Sequence, residues 1–528
     1  MIAAHVTAPL NMPAYLRVVV AAVAGVVLAL AFPPFGASLL APVAVAVLTL
    51  VMFRQRPWLG GLCGLVAGLA FFLMLLRWLS LIGADAWLAL SLFCAAWFGL
   101  MGVAIAYLSF FRWWPLWIAG AWLLQEALRD RIPLGGFPWG RLAFAQTATT
   151  LTPWAAIAGA AAVTFMTALV GAIMAAAFLH LRSKNGLRGG LLVAGIIVMG
   201  VSSVIIPRPA VGQTDGGPSQ TVAAVIQGGL PSGEAPDAPR DVLTRHVAET
   251  VAVGEAADAG LTQEPNIVIW PENAADIDPL RDEASAAAIS AAAAAVDAPI
   301  LVGAVLGIDD MTVANVGIVW DPVTGPGEYY VKQRPVPFGE YVPFRPLLTA
   351  LIGRFDQVPR DFIAGESSGV LSMGDVVIAD VICFEVAYDD VVRGAVLDGG
   401  RVIVVQTNNA TFAGLGQPEQ QVAMSRLRAV EFGRTVLVAA TTGISAVIDP
   451  TGAVVSEIGE FQSGSMVETI QLRDSLTIAA RVGPWPEILA SLATMLALGW
   501  SIWRRLLGKS KPNGNTVSAR DIGSSSDD

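Results

Sequence analysis

Long apolar segments fill the first 206 residues of the chain, and one more lies close to its end. They cover residues 16–32, 38–53, 58–76, 86–111, 114–128, 151–181, 187–206 and 488–507. A helix of about 20 apolar residues is long enough to cross a bilayer. The pattern therefore predicts a membrane α-helical bundle of about eight spans, with seven spans before residue 207 and one after residue 484.

Between these segments the pattern changes to short apolar runs separated by polar stretches. The predicted strands are 221–227, 266–270, 300–305, 376–382, 401–406 and 435–440; the predicted helices are 240–259, 282–296 and 418–432. Two similar hairpins are predicted at 316–331 and 443–456. Strands that alternate with helices are typical of a layered α/β domain, here with a mixed sheet.

The composition agrees with this division into a membrane part and a water-soluble part. Of the 528 residues, 55% are hydrophobic and only 14% are charged, well below the charged fraction of an ordinary soluble domain. Residues 207–484 contain 35 acidic and 16 basic residues, whereas the rest of the chain has 7 acidic and 16 basic ones. So acidic a domain argues against nucleic acid as a partner.

Basic residues beside the apolar segments indicate how the chain is oriented. If the N-terminus is cytoplasmic, the loops on that side hold ten of them: Arg54, Arg56, Arg112, Arg182, Lys184, Arg188, Arg504, Arg505, Lys509 and Lys511. Loops rich in lysine and arginine stay in the cytoplasm. We therefore predict a membrane domain (1–206, seven spans), an extracytoplasmic domain (207–484), an eighth span (485–508) and a disordered cytoplasmic tail (509–528).

The cysteines and histidines narrow the chemistry of the soluble domain. Cys63 and Cys94 lie in apolar segments, so Cys383 is the one cysteine between residues 207 and 484. This excludes a disulfide framework and a cysteine-based zinc site. The three histidines are scattered, which disfavours a histidine-based triad. Cys383 follows the apolar strand 376–382, where it is either a nucleophile or an inert buried thiol.

Two charged residues occupy similar positions at the ends of other strands. Glu272 follows the apolar run 267–270 and a proline, and Lys332 is the one lysine between residues 207 and 484. Alone, each is most simply a solvated surface charge. Held near Cys383, however, a carboxylate can accept the thiol proton, and an ammonium can favour the thiolate and stabilise an oxyanion. Glu385, two residues after Cys383, either orients Lys332 or pairs with another group.

The order Glu, Lys, Cys at strand ends resembles the carbon–nitrogen hydrolase (nitrilase) superfamily. The matching motifs are WPE at 270–272, VKQRPVPFGEYVPF at 331–344 and ICFE at 382–385. With seven predicted spans before this domain and one after it, the chain more closely resembles the apolipoprotein N-acyltransferase family. The FPWG loop at 137–140 is a further point of likeness.

The resemblance implies a nitrilase-like αββα sandwich outside the cytoplasm and a Glu-Lys-Cys triad. Glu272 is then the general base, Lys332 stabilises the tetrahedral intermediate, and Cys383 is the nucleophile that becomes a thioester. Glu340 and Glu385 fall where the family has further essential carboxylates.

The resemblance also implies the reactants and the location. The acyl donor is a membrane phospholipid, and the acceptor is the α-amino group of the N-terminal diacylglyceryl-cysteine of an apolipoprotein. No cofactor is implied, and the location is the bacterial cytoplasmic membrane, which the chain crosses several times. The sequence does not determine the oligomeric state.

Three departures from the family pattern affect the expected choice of substrate. Phe384 replaces the tyrosine of many relatives, Phe412 replaces a tryptophan, and the segment 227–235 lacks a tryptophan near Pro231. Trp139 in the FPWG loop is either an interfacial anchor or a substrate contact.

Two other functions use the same residues or the same membrane part. A membrane-bound amidase or nitrilase that hydrolyses a small carbon–nitrogen substrate would need the same triad. A transporter or receptor is disfavoured, because the apolar segments contain few ionisable residues, and only Glu126, Arg129 and Asp130, near the end of the fifth segment, suggest a polar pathway.

Overall fold

The computed structural model describes residues 8–206, 218–230, 240–351, 353 and 360–509. The predicted domain boundary at residue 207, the segment near Pro231 that lacks a tryptophan, and the tail from residue 510 onward lie outside these residues. The described residues form a helical bundle joined to an α/β domain.

The helices agree closely with the apolar pattern. Among the described residues the α-helices are α1 (Ala14–Leu30), α2 (Leu40–Met52), α3 (Pro57–Leu75), α4 (Ala84–Leu108), α5 (Trp114–Arg129), α6 (Ala155–Arg182), α7 (Gly186–Ser202), α8 (Asp241–Asp258), α9 (Glu283–Val296), α10 (Arg345–Leu351), α11 (Asp389–Leu397), α12 (Gln417–Phe432), α13 (Ile478–Val482) and α14 (Trp485–Lys509). Each predicted apolar segment corresponds to one helix, α1 to α7 or α14.

Some of these helices are long and apolar enough to cross a membrane. Within the described ranges there are four such stretches: Pro57–Leu75, Ala84–Leu108, Thr152–Arg182 and Trp485–Leu507. The helices α1, α2 and α7 are apolar but shorter. The structure thus contains several candidate spans, while the number eight stays a prediction.

The strands form two sheets. Among the described residues they are β1 (Gln220–Gln227), β2 (Ile267–Ile269), β3 (Ile300–Gly307), β4 (Thr312–Asp321), β5 (Gly325–Val331), β6 (Asp361–Phe362), β7 (Val370–Met373), β8 (Val376–Ile382), β9 (Val402–Thr407), β10 (Val436–Ala440), β11 (Ser445–Ile448), β12 (Val454–Ile458) and β13 (Gly464–Gln471). One sheet has the order β13-β1-β2-β3-β4-β5, with β6 beside β4, and the other has the order β12-β11-β10-β9-β8-β7.

The two sheets share one plan. The centre of each is parallel, with β1, β2 and β3 in the first sheet and β8, β9 and β10 in the second. The hairpins β4–β5 and β11–β12 then continue each sheet with antiparallel pairing. The two similar hairpins of the sequence therefore occupy equivalent positions, and the carboxyl ends of the parallel strands within each sheet share one edge.

The sheets pack face to face between two helical layers. Apolar side chains from both sheets, among them Val225, Ile269, Ile382 and Val404, fill the space between them. On the outer face of the first sheet lie α8 and α9. On the outer face of the second lie α11 and α12, whose core continues without interruption into the helical bundle. The predicted αββα sandwich is thus present, and one of its helical layers also packs against the bundle.

Glycines let the helices of the bundle approach one another closely. Gly60, Gly64 and Gly68 recur every four residues on the face of α3 that packs against α4. A Cβ atom on Gly64 would lie 2.1 Å from the carbonyl oxygen of Phe98, and one on Gly102 would lie 2.1 Å from that of Gly60. Small residues at this spacing are typical of helix pairs in membranes, where close van der Waals packing drives association.

Several short elements were not predicted. The edge strand β13 mixes polar and apolar residues, and β7 has only four residues, so neither gives a clear periodic pattern. The nine-residue helix α11 directly follows the Cys383 segment and begins with two aspartates. These elements form because they pair or pack with the rest of the sandwich. The local sequence does not show those contacts.

We predict that Gly64→Ala lowers the thermal unfolding midpoint of the detergent-solubilised protein. The added methyl group collides with the backbone of α4, and overpacking of this kind costs about 1–3 kcal/mol. Gly195→Ala is the matched control, because a Cβ on Gly195 in α7 meets nothing within 4 Å. Equal midpoints for the two variants would contradict the close helix packing described above.

Candidate active site

Three strand ends bring Glu272, Lys332 and Cys383 to one place. Glu272 lies three residues beyond β2, Lys332 directly follows β5, and Cys383 directly follows β8. The first two come from one sheet and the third from the other, so the residues meet only because the sheets pack face to face. Glu272 is 4% exposed and Lys332 is 1% exposed.

Lys332 lies between two carboxylates. Its Nζ is 3.1 Å from Glu272 Oε1 and 2.8 Å from Glu340 Oε1. Burial alone would lower the pKa of the Lys332 ammonium, but Glu272 and Glu340 outweigh burial and hold that pKa well above its usual range. The lysine is therefore a permanent positive charge in the protein interior.

The carboxylate of Glu272 is held by hydrogen bonds on both oxygens. Asn315 Nδ2 donates to Oε1 over 2.6 Å, and the backbone N–H of Asn408 donates to Oε2 over 2.8 Å. Asn315 also donates to Glu340 over 3.1 Å. The loop that carries Glu272 lies against Gly303 of β3, where a Cβ would be 2.1 Å from the carbonyl oxygen of Pro271. A fixed carboxylate of this kind is suited to accept a proton at one defined point.

Cys383 opens a turn of 3₁₀-helix, Cys383–Ala387, with φ of +55°. Non-glycine residues rarely adopt this left-handed conformation, and strain of this kind clusters at functional sites. The Thr407 hydroxyl lies 3.3 Å from Sγ. Burial, and then Glu272, raises the pKa of the Cys383 thiol to about 12, against the lowering effects of Lys332 and Thr407. The Lys332 charge favours the thiolate, but burial outweighs it, so the resting thiol is neutral.

Glu385 pairs with groups other than Lys332. Its carboxylate accepts hydrogen bonds from the backbone N–H of Ile382 (2.8 Å), Gln333 (2.6 Å) and Arg334 (3.0 Å), and from the Tyr330 hydroxyl (3.0 Å). Burial raises its pKa to about 6 despite these donors. Because Gln333 follows Lys332 and Ile382 precedes Cys383, Glu385 ties the lysine segment to the cysteine segment.

Phe384 and Trp139 lie at the junction between the bundle and the α/β domain. The Phe384 ring stacks 5.8 Å from the Phe137 ring and 5.9 Å from the Trp139 ring. Trp139 is 1% exposed, and its Nε1–H donates to Gln420 Oε1 over 2.6 Å. Both residues pack inside the protein, and substrate binding by either one stays a prediction.

A buried ion-pair network reinforces the same junction. Arg141, at the end of the FPWG loop, lies 2.8 Å from Asp389 at the start of α11 and 3.4 Å from Asp130. Arg428 of α12 also contacts Asp389, over 2.7 Å. Asp130 thus belongs to a structural network that joins the bundle to the helices beside Cys383.

Asn315 and Thr407 are site residues that sequence reasoning missed. Asn315 is the one polar side chain in residues 313–320 of β4, and a single amide in so apolar a run indicates a specific role. Thr407 ends β9, the strand that runs parallel to β8 beside Cys383. The sequence therefore also shows Thr407 as a polar residue at the end of a predicted strand. It does not show that the Thr407 hydroxyl contacts Cys383.

The described part of the chain contains no group of three or more His, Cys, Asp or Glu residues arranged to hold a metal ion.

Two family models match the chain. The apolipoprotein N-acyltransferase N-terminal domain matches residues 24–173, and the carbon-nitrogen hydrolase matches residues 220–479. This chain is also similar to a solved amidase from Nesterenkonia sp., at 18% identity and a TM-score of 0.35 over 52% of this chain and 96% of that chain.

Curated proteins are similar over nearly the whole chain. The apolipoprotein N-acyltransferase of Mycolicibacterium smegmatis is 38% identical, over 89% of this chain and 83% of that protein. The apolipoprotein N-acyltransferase of Photobacterium profundum is 26% identical, over 93% of this chain and 96% of that protein. With both domains matched in this order, the chain belongs to the apolipoprotein N-acyltransferase family.

Proposed function

We propose that this chain transfers an acyl group from a membrane phospholipid to the α-amino group of the N-terminal diacylglyceryl-cysteine of an apolipoprotein. Membership of the family supports N-acylation of lipoproteins. The observation that carries the mechanism is the buried Lys332 ammonium, 3.1 Å from Glu272 and within electrostatic reach of the Cys383 thiol. A base, a fixed cation and a nucleophile are thereby available in one enclosed place.

In the first half-reaction Cys383 becomes acylated. Glu272 takes the thiol proton as Sγ attacks the ester carbonyl carbon of the phospholipid, and the carbonyl oxygen becomes an oxyanion beside Lys332. A fixed cation where negative charge develops lowers the barrier. The intermediate then collapses, the carbon–oxygen bond breaks, and Glu272 returns the proton to the departing lysophospholipid. The product is a thioester on Cys383.

In the second half-reaction the acyl group passes to the amine. The neutral α-amino nitrogen of the apolipoprotein attacks the thioester carbonyl, and Lys332 again stabilises the oxyanion. Glu272 takes one proton from the nitrogen and delivers it to the departing Cys383 sulfur. An amide has formed and the free thiol is restored, so the two substrates react in turn at one site.

The arrangement in the membrane is part of the same proposal. We assign seven spans to residues 1–206, an extracytoplasmic catalytic domain to 207–484 and an eighth span to 485–508, with the end of the chain on the cytoplasmic side. The ten basic residues that would share the cytoplasmic side support this orientation. It gives the catalytic domain a helix tether at both ends and keeps it beside the outer leaflet of a bacterial cytoplasmic membrane.

The second candidate is a membrane-bound amidase that uses the same triad with water as the final acceptor. The shared core of the bundle and the α11–α12 layer favours the transferase, since a hydrolase of small soluble substrates has no need for a catalytic domain fused to membrane helices. Release of free acid or ammonia, with no amide-linked acyl chain on a lipopeptide, would identify the hydrolase.

We predict that Cys383→Ser and Lys332→Met each reduce acyl transfer to a diacylated lipopeptide by at least about 100-fold. The first change weakens the nucleophile, and the second removes the charge that stabilises the oxyanion. Mass spectrometry of the lipopeptide measures the third acyl chain. Cys63→Ser, a buried cysteine of α3, is the matched control and retains transfer. Transfer at the parent rate by either triad variant would show that the assigned roles are wrong.

Lys332→Met also places Glu272 and Glu340 side by side without their cation. Breaking a buried ion pair in this way costs about 3–5 kcal/mol, so the thermal unfolding midpoint should fall. Cys383→Ser leaves these charges in place and should leave the midpoint unchanged, which separates loss of chemistry from loss of folding.

We predict that iodoacetamide alkylates Cys383 slowly at neutral pH. Since burial raises the pKa of this thiol to about 12, the rate should still be rising at pH about 9, where an ordinary cysteine approaches its plateau. A background with Cys63→Ser and Cys94→Ser isolates the signal. Glu272→Gln removes a negative charge and should move the curve to lower pH, whereas Lys332→Met should move it to higher pH. A plateau below pH 8 in the parent would contradict a neutral resting thiol.

A further inference from the structure

Asp380 lies in the space between the two sheets, next to the triad. It is on β8, three residues before Cys383, and is fully buried. It faces Gly317 of β4 in the opposite sheet, where a Cβ would lie 2.1 Å from Asp380 Oδ2. Asn315, two residues earlier on β4 and therefore on the same face, is the side chain that donates to Glu272.

Three buried oxygen atoms meet here without a donor. Among the described residues, both carboxyl oxygens of Asp380 and Oε1 of Gln406 have no hydrogen-bond partner. The position of a Cβ on Gly317 is 2.1 Å from Asp380 Oδ2 and 2.5 Å from Gln406 Oε1, so the two side chains converge on one point. A buried acceptor left without a donor costs about 1–3 kcal/mol.

The orientation of the Gln406 amide is fixed from its other side. Its Nε2–H donates to the backbone carbonyl of Trp270 over 2.6 Å, and a carbonyl can only accept. Oε1 must therefore face Asp380. Gln406 pairs with Ile382 across β8 and β9, so it is a diagonal neighbour of Asp380 on the same face of the sheet.

The charges around Asp380 disfavour its ionised form. Burial, and then Glu385, raises the pKa of Asp380 well above its usual range, and Glu272 adds to the effect. Tyr330 of β5 is the further titratable group that faces it. The backbone N–H of Val381 favours the ionised form but does not reach hydrogen-bond geometry.

We propose that Asp380 is a neutral carboxylic acid and a positioning residue, whose hydroxyl donates to Gln406 Oε1. Gln406 in turn donates to the carbonyl of Trp270, two residues before Glu272. One proton thus completes a hydrogen-bonded chain from the strand that carries Cys383 to the loop that carries Glu272. The proposal rests on the proposed roles of those two residues in acyl transfer.

Two substitutions of Asp380 test the positioning role. Asp380→Leu removes the donor and should lower kcat/KM for acyl transfer by about 100-fold, the cost of misplacing a catalytic group by about 1 Å. Asp380→Asn restores a neutral donor and should recover most of that loss. Its pH profile should keep the parent's acid limb, because one neutral group replaces another. A shifted acid limb, or equal loss in both variants, would overturn the proposal.

Infrared difference spectroscopy at pH 8 tests the proton without reference to activity. The parent spectrum minus that of Asp380→Asn should show the carbonyl stretch of a protonated carboxylic acid. Asp375 is an exposed turn residue and provides the control, because the parent spectrum minus that of Asp375→Asn should show no such band. Gln406→Met keeps the acid protonated and should shift the band, which provides the test if Asp380→Asn does not fold. Absence of the band would overturn the proposal even if Cys383 proves to be the nucleophile.

Discussion

The positive charge of Lys332 depends on a contact between parts of the chain that are far apart in sequence. Glu272 and Glu340 come from different loops, and both lie within hydrogen-bond distance of the ammonium. A charge buried this deeply is stable only when it is paired and hydrogen-bonded. In the proposed mechanism the thiol proton passes to Glu272, and the charge of the oxyanion develops beside the Lys332 ammonium.

The second constraint is the layer that the catalytic domain shares with the helical bundle. The helices α11 and α12 cover the outer face of the sheet that carries Cys383, and their apolar core continues into the bundle. Phe384, the neighbour of Cys383, stacks on two aromatic rings of the loop that follows α5. Because Arg141 adds ion pairs at this junction, the position of Cys383 relative to the bundle is fixed. In the proposed reaction the lipid ester therefore meets a site of constant geometry.

The sequence predicts those parts of the structure that depend on short-range patterns of apolar and polar residues. The apolar run before Cys383 was predicted at 376–382 and is the strand Val376–Ile382, since a buried parallel strand consists almost entirely of apolar residues. The hydrogen-bond partners of Glu385 and the proposed hydrogen-bonded chain through Gln406 were not predictable. They depend on which strands face each other across the sandwich, and Asn315 and Asp380 appear in the sequence only as single polar residues within apolar strands. Contacts such as Phe384 with Trp139 join residues that are far apart in the chain.

The thioester on Cys383 is the central claim of this mechanism. It is tested most directly by incubating the purified protein with a phospholipid of defined acyl chain, without an acceptor, and analysing its peptides by mass spectrometry. We expect the peptide that contains Cys383 to gain the mass of that acyl group, to lose it on addition of hydroxylamine, and to transfer it when a diacylated lipopeptide is added. Lipopeptide acylation by a protein whose Cys383 never carries the acyl group would contradict the mechanism.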